Sequence, residues 1–363
     1  MRVAVDATML GPSPTGAARF VRNLLAALPE ADPSLECVAL VRSHIRGNES
    51  LGPRVEISAV EGGSGLAWEL GGLGRAARRA RANVIFKIRE LVGASPLPMV
   101  VHVFEPPQYR VRWDSGGRSV KGRSKDLVLA GLLRGSLRRA ARVTAGSQTT
   151  ATWLREHTGV RASVVHPGID PFFLEDPPER AMTGEQYLLH VASGDPSEDS
   201  GALLEAFASA GLSDCVLVLA GSAGRSDGPL FARANALGLA GRVRAEGRVS
   251  DARLRALYKG AVAYVHPTRY EGFGGYTALE AMSQGTPVIA FDAPGTREAL
   301  EGGALLTPVG SVEALVKAMR SITDDHELHR RLSVRGHAIA EGLTWDRSAA
   351  AVLDALRAAA RVT

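Results

Sequence analysis

The chain has 363 residues, more than one compact core holds comfortably and suited to two medium domains. Hydrophobic residues make up 45% and charged residues 22%, an ordinary globular composition that excludes a disordered or fibrous chain. Net charge is +5, and no run approaches the roughly 20 apolar residues of a membrane-spanning helix.

In chain order, Val3–Ala7 reads as a strand, followed by a Gly/Pro loop and a helix from Gly16 to Leu28. Further strands are predicted at Cys37–Val41, Val55–Val60, Asn83–Phe86 and Met99–Phe104. Arg142–Ala145 and Ser163–Val165 close the first half, and the Pro-rich run from Pro167 to Glu179 reads as a linker. The pattern then restarts with strands at Tyr187–Ala192, Val216–Ala220, Val243–Glu246, Ala263–His266, Val288–Ala290 and Ala304–Leu306. Helices are predicted between them, as at Gly201–Ala210 and Arg253–Lys259, and a helical tail runs from about Val312 and holds Trp345. Alternation of short apolar runs with amphipathic helices points to doubly wound α/β domains, whose ligands sit outside the carboxyl ends of the strands. The stretches Gly62–Gly74 and Pro106–Lys125 read as variable loops.

Cys37 and Cys215 stand far apart in predicted strands, which suits small core residues rather than a disulfide or a metal pair. That argues for a reducing compartment. The opening Met1-Arg2-Val3-Ala4-Val5-Asp6 reads as a strand rather than a leader, so the expected location is cytoplasmic. Between Arg110 and Arg142, ten Lys or Arg stand against two acids, Asp114 and Asp126. This stretch (110–142) suits either a solvated helix face or peripheral contact with anionic lipid at the inner face of a membrane or with a phosphorylated acceptor. No helix-turn-helix spacing or aromatic-interleaved basic pattern accompanies it, so no nucleic acid is expected. No metal-ligand cluster is visible either. The first loop, Leu10-Gly11-Pro12-Ser13-Pro14-Thr15-Gly16, lacks the Gly-x-Gly-x-x-Gly of dinucleotide-dependent dehydrogenases.

The richest segment runs from Tyr264 through Val265-His266-Pro267-Thr268-Arg269-Tyr270-Glu271-Gly272-Phe273-Gly274-Gly275-Tyr276-Thr277 and Leu279-Glu280-Ala281-Met282 to Phe291. A strand delivers the chain to a Gly-rich loop, and a helix is predicted to start near Thr277. Glycines let backbone approach a phosphate closely, and a helix N-terminus presents N–H groups with partial positive charge. Glu271 on the loop suits sugar hydroxyls or a developing positive charge. Glu280, one turn into the helix, suits the two hydroxyls of a ribose, but Thr277-Ala278-Leu279-Glu280 is also a capping box.

This segment resembles the Glu-Gly-Phe-Gly…Leu-Glu-Ala-Met…Gly-Thr-Pro-Val-Ile-Ala signature of family-four GT-B glycosyltransferases. The similarity covers most of the chain. Gly247-Arg248-Val249-Ser250 with Leu254 and Leu257-Tyr258 resembles the family's base-binding turn. Ser147–Leu154 and Val164–Asp170 resemble the end of its first domain, and Asp292–Pro308 resembles the stretch after the signature helix. The resemblance implies an α/β GT-B fold of two Rossmann-like doubly wound domains facing a central cleft. Residues 1–172 would be the acceptor side and 183–345 the donor side, with a helix over 346–363 packing back on the first.

It also implies a retaining, metal-independent transferase. A nucleotide-diphosphate sugar would be its co-substrate, with no further cofactor, and the acceptor a glycan, a lipid-linked sugar or a secondary metabolite. Glu271 would lie beside the donor sugar and Glu280 would bind the ribose. Gly274, Gly275, Tyr276 and Thr277 would hold the diphosphate, Arg248 and Val249 would read the base, and Gly16 would approach the diphosphate from the other domain. His102 resembles the histidine that contacts the donor sugar. Read as a lone histidine, it would be a satisfied partner of Glu105 or of a backbone carbonyl.

Two departures stand out. Eight residues lie between Glu271 and Glu280, where the family has seven. Ser193 and Glu198 stand where the family carries an Arg and a Lys on the diphosphate, and Arg225 and Arg19 are candidate replacements. The loss of both cations keeps an alternative open, a degenerate GT-B protein that binds nucleotide or glycan without transfer.

Overall fold

The computed structural model describes residues 1–11, 15–43, 51–62, 65–88, 90–105, 131–177, 184–273 and 275–361. The chain divides into two compact units, Met1–Gly168 with Thr344–Thr363, and Ile169–Leu343.

In the first unit, β1 (Arg2–Asp6), α1 (Gly16–Ala31), β2 (Glu36–Arg42), β3 (Val55–Val60), α2 (Leu73–Arg79), β4 (Val84–Lys87), β5 (Met99–Val103), β6 (Arg142–Ala145), α3 (Gln148–Thr158) and β7 (Ser163–Val164) follow in order. The sheet runs β3-β2-β1-β4-β5-β6-β7. Every pair is parallel, with Val3 opposite Cys37 on one side and Val84 on the other. Parallel strands covered on both faces bury nearly every residue, which is why β1, β4 and β5 read as continuous apolar runs. Helix α1 starts where the Thr15 hydroxyl accepts the Ala18 N–H at 3.2 Å, and it buries Phe20, Val21, Leu24, Leu25 and Leu28 at helical spacing.

The second unit repeats the plan with β8 (Gln186–Val191), α4 (Ser200–Ser209), β9 (Cys215–Ala220), α5 (Pro229–Ala236), β10 (Val243–Gly247), α6 (Asp251–Gly260), β11 (Ala263–His266), α7 (Tyr276–Ser283), β12 (Val288–Phe291), α8 (Pro294–Leu300), β13 (Ala304–Thr307), α9 (Val312–Asp324) and α10 (His326–Glu341). Its sheet, also parallel, runs β10-β9-β8-β11-β12-β13. Strand order reverses between β8 and β11, the topological switch point at which such sheets open a ligand crevice. The last helix, α11 (Trp345–Ala360), belongs to the first unit. There Trp345 meets Phe20 edge-on at 5.5 Å, and Arg357 pairs with Asp32 at 2.7 Å.

Three stretches differ from their sequence reading. Of Gly62–Gly74, read as a variable loop, residues 65–74 are helical, with a π-helical turn at Trp68–Gly72 leading into α2. The reason is burial of Trp68, whose indole N–H points at Asp6 Oδ2 from 3.4 Å, and of Glu69, which pairs with the buried Lys87 ammonium. The predicted linker contains a 3-10 turn, Pro171–Leu174, that inserts Phe173 into the second unit's core beside Tyr258. The helical tail is three helices, each begun by its own side-chain cap: Ser311, Asp325 and Thr344. Most of the basic stretch 110–142, and all of Pro106–Lys125, lies outside the described residues. No described helix is long and apolar enough to cross a membrane.

Candidate active site

The signature segment occupies the carboxyl edge of the second unit at the switch point. Strand β11 ends at His266, and the chain returns at Gly275, whose φ of +72° is a backbone conformation natural to glycine, to start α7. A Cβ at Gly275 would lie 2.7 Å from the His266 ring and 3.0 Å from Glu271 Oε2. Backbone, imidazole and carboxylate therefore converge here. Glu271 is held from two sides. Its Oε1 accepts the Gly272 N–H at 3.0 Å, and its Oε2 faces His266 Nε2 at 3.5 Å. At 24% exposure the Glu271 carboxylate stays open to a ligand, whereas the His266 side chain is at 7%.

The loop bearing Glu271 rests on α8. A Cβ on Gly295 would sit 2.1 Å from the Glu271 carbonyl oxygen and 2.7 Å from that of Gly272, so only glycine lets the loop lie this low.

Helix α7 begins at Tyr276 and is capped by Gly275, so Thr277 is not the N-cap and the capping-box reading of Glu280 is corrected. The Thr277 hydroxyl instead accepts from Tyr264 at 2.8 Å, and Glu280, buried at 3%, accepts the Tyr258 hydroxyl at 3.1 Å. Tyr258 comes from α6, and the turn that starts α6 holds Arg248, exposed, and Val249, half-buried against the same core cluster. Gly247 fixes this turn: its carbonyl accepts from Gly221 at 2.7 Å and its N–H donates to Gly224 at 2.8 Å, joining the loops after β9 and β10. Gly274 lies outside the described residues.

Two expected residues are placed otherwise. Arg225 lies beside Gly247, and its guanidinium is engaged by Asp227 through bonds of 2.8 and 2.5 Å. The pair is exposed on both sides. His102 is fully buried in the first unit, stacked on Phe20 at 4.6 Å and edge-on to Phe104 at 4.7 Å. Its Nδ1 meets the Thr144 hydroxyl at 2.9 Å, in place of the Glu105 or carbonyl partner expected of it. Burial pushes its pKa down to about 3, so the ring is neutral over the physiological range. The expected sugar-contacting residue is thus placed among aromatic rings, with its Nε2 buried and without a hydrogen-bond partner among the described residues. Gly16, also in the first unit, opens α1 at the surface.

His266 is the residue that sequence reasoning passed over. A lone histidine at a strand end carries no periodic signal, and its one cue is its place five residues before Glu271. At the end of β8, Glu198 turns its carboxylate onto the Ser193 and Gly194 N–H groups, at 2.9–3.1 Å and 3.2 Å.

Residues 174–338 match the family model described as glycosyl transferases group 1. The chain is 27% identical over 179 residues to O-antigen chain mannosyltransferase B of Escherichia coli, covering 48% of this chain and 47% of that protein. Its fold is similar to that of sucrose-phosphate synthase from Thermosynechococcus elongatus, with a TM-score of 0.79 and 19% identity over 100% of both chains. It is also similar to HepE of Anabaena in complex with UDP-glucose, with a TM-score of 0.74 and 19% identity over 98% of this chain and 99% of that one. The chain thus spans about half the length of the curated mannosyltransferase it matches. The group 1 glycosyl transferase match covers the switch-point site and its Gly-capped helix, on a fold similar to those of these structures.

Proposed function

We propose that the chain transfers a sugar from a nucleotide-diphosphate donor, bound on the second unit, to an acceptor hydroxyl. The convergence of Glu271, His266 and Gly275 at the start of α7 carries this reading, because it sets a partly open carboxylate beside a helix N-terminus. The diphosphate would lie along the backbone of Gly275, Tyr276 and Thr277, where the helix dipole favours negative charge. Glu280, oriented by Tyr258, would accept the ribose hydroxyls, and the turn at Arg248 and Val249 would meet the base. The similarity to HepE, solved with UDP-glucose, supports a donor of this class.

Transfer breaks the bond from the sugar's anomeric carbon to the diphosphate oxygen and forms one to the acceptor oxygen. The acceptor's proton passes to the departing phosphate. Attack on the face the phosphate leaves retains configuration, with Glu271 stabilising the positive charge that develops on the ring. Backbone donors, rather than a metal, would hold the leaving group. The acceptor belongs to the class of glycans, lipid-linked sugars or secondary metabolites, and the basic stretch 110–142 would bring an anionic acceptor or membrane surface to the first unit.

Thermal unfolding with UDP, GDP, TDP and ADP, with and without EDTA, tests the reading. A ligand at 100 times its Kd adds about 2.7 kcal/mol to stability. One nucleotide should raise the melting temperature regardless of EDTA. No shift with any of the four would overturn the proposal, and a shift abolished by EDTA would remove its metal-free part.

A further inference from the structure

The loop after β8 carries an anion seat that the chain fills with its own carboxylate. Past Val191 the backbone turns through Ser193 and Gly194, whose φ is +91°, into the 3-10 turn Pro196–Glu198. Two successive N–H groups then converge on one acceptor, the arrangement that binds anions in backbone nests. Here the acceptor is Glu198: Ser193 N–H lies 3.1 and 2.9 Å from its two oxygens and Gly194 N–H 3.2 Å from one of them. The neighbouring acids are engaged elsewhere. Asp195 accepts from the Ser197 N–H at 2.8 Å, and Asp199 pairs with Arg269 at 2.5 Å. Burial pushes the Glu198 carboxyl up, against the pull of those N–H groups and of His266.

The position matters as much as the bonds. Strands β8 and β11 are adjacent, with Leu188 opposite Ala263 and Leu189 opposite Tyr264, so the loop after β8 and His266 share one edge. The Arg269 N–H, three residues past His266, donates to the Ser197 carbonyl at 2.8 Å, and the His266 imidazole lies against Gly275 at the start of α7. Glu198 and the N-terminus of α7 thus stand on loops at one edge of the sheet.

We infer that Glu198 sets the charge selectivity of the donor site: it fills the loop's anion seat and holds a negative charge beside the start of α7, so the site disfavours a free nucleoside diphosphate more than its sugar ester. This rests on the donor reading above. The chemistry is a matter of charge count. A nucleoside diphosphate esterified to a sugar carries two negative charges, and the free diphosphate gains most of a third near neutral pH. A fixed carboxylate repels the product more than the donor and so favours product release.

The test compares binding of a nucleoside, its diphosphate and the glucose ester of that diphosphate, for the base that the thermal screen selects, to wild type and Glu198→Gln. Glutamine keeps an oxygen acceptor for the two N–H groups and removes the charge. The expected result is unchanged nucleoside affinity, a gain of about threefold for the sugar ester and on the order of tenfold for the free diphosphate. Glu198→Ala, which empties the seat, should in addition let inorganic pyrophosphate compete with the diphosphate. Equal shifts for all three ligands would make Glu198 a structural residue and overturn the inference, as would no shift in either variant. If wild type and both variants bind no nucleotide at all, the donor reading falls and takes this inference with it.

Discussion

The hydroxyl of Tyr258 donates to Glu280 across 3.1 Å inside the second unit, joining helix α6 to helix α7 beneath the proposed ribose site. Both groups are buried, so the bond fixes which way the carboxylate faces. Tyr258→Phe should cost about 1–3 kcal/mol of stability, the price of a buried acceptor losing its donor. It should also weaken nucleotide binding several-fold. Urea unfolding and titration of the stabilising nucleotide check the two effects separately.

Glu271→Gln should leave nucleotide-induced stabilisation near wild type and lower kcat by two orders of magnitude or more, since the carboxylate is assigned to the charge that develops in the transition state. Equal losses in nucleotide affinity and turnover would place Glu271 in ground-state binding instead.

At Gly275 the positive φ and the packing act together. An alanine Cβ would be strained by the backbone and would sit 2.7 Å from the His266 ring. Gly275→Ala should therefore cost about 1–3 kcal/mol and abolish nucleotide stabilisation. His266→Ala in the same chain relieves the clash and should recover part of the stability, which a double-mutant cycle measures.

His102 and His190 are both buried and both depressed, to about 3 and about 4, with burial the leading cause. The unfolded chain titrates them near 6.5 and so binds more protons than the folded one below that pH. Their contribution is fully present above pH 6.5 and is lost as pH falls toward the folded values, at up to about 1.4 kcal/mol per pH unit for each. The urea midpoint should fall between pH 6.5 and 4, and His102→Leu should flatten part of that slope. An unchanged slope would mean that His102 takes up its proton equally in the folded and the unfolded chain.

Much of the fold is legible in the sequence because parallel strands buried on both faces leave unbroken apolar runs: Val84–Phe86 and Leu217–Ala220 need no partner to be recognised. The helical turn at Trp68–Gly72 was hidden by its glycines, which read as loop, while what orders it is a contact with Asp6, 62 residues away. The same holds at the site. Glu271 and Glu280 are conspicuous within a signature, but local spacing made Thr277 look like a cap, when its hydroxyl belongs to Tyr264 on the neighbouring strand. His102 needed the structure for the complementary reason. A strand-end histidine looks equally exposed or buried until Phe20 and Phe104 are seen to enclose it.

The bare Cα of Gly295 beneath Glu271 has a consequence for altering the proposed donor site. The height of the Glu271 loop is governed from 24 positions downstream, at a residue that has no side chain. Even the smallest replacement there would lift the Glu271–Gly272 backbone by steric force and move the carboxylate toward solvent. Libraries aimed at new donors would do well to hold position 295 invariant while varying position 248, where the side chain is exposed and sequence change carries little structural cost.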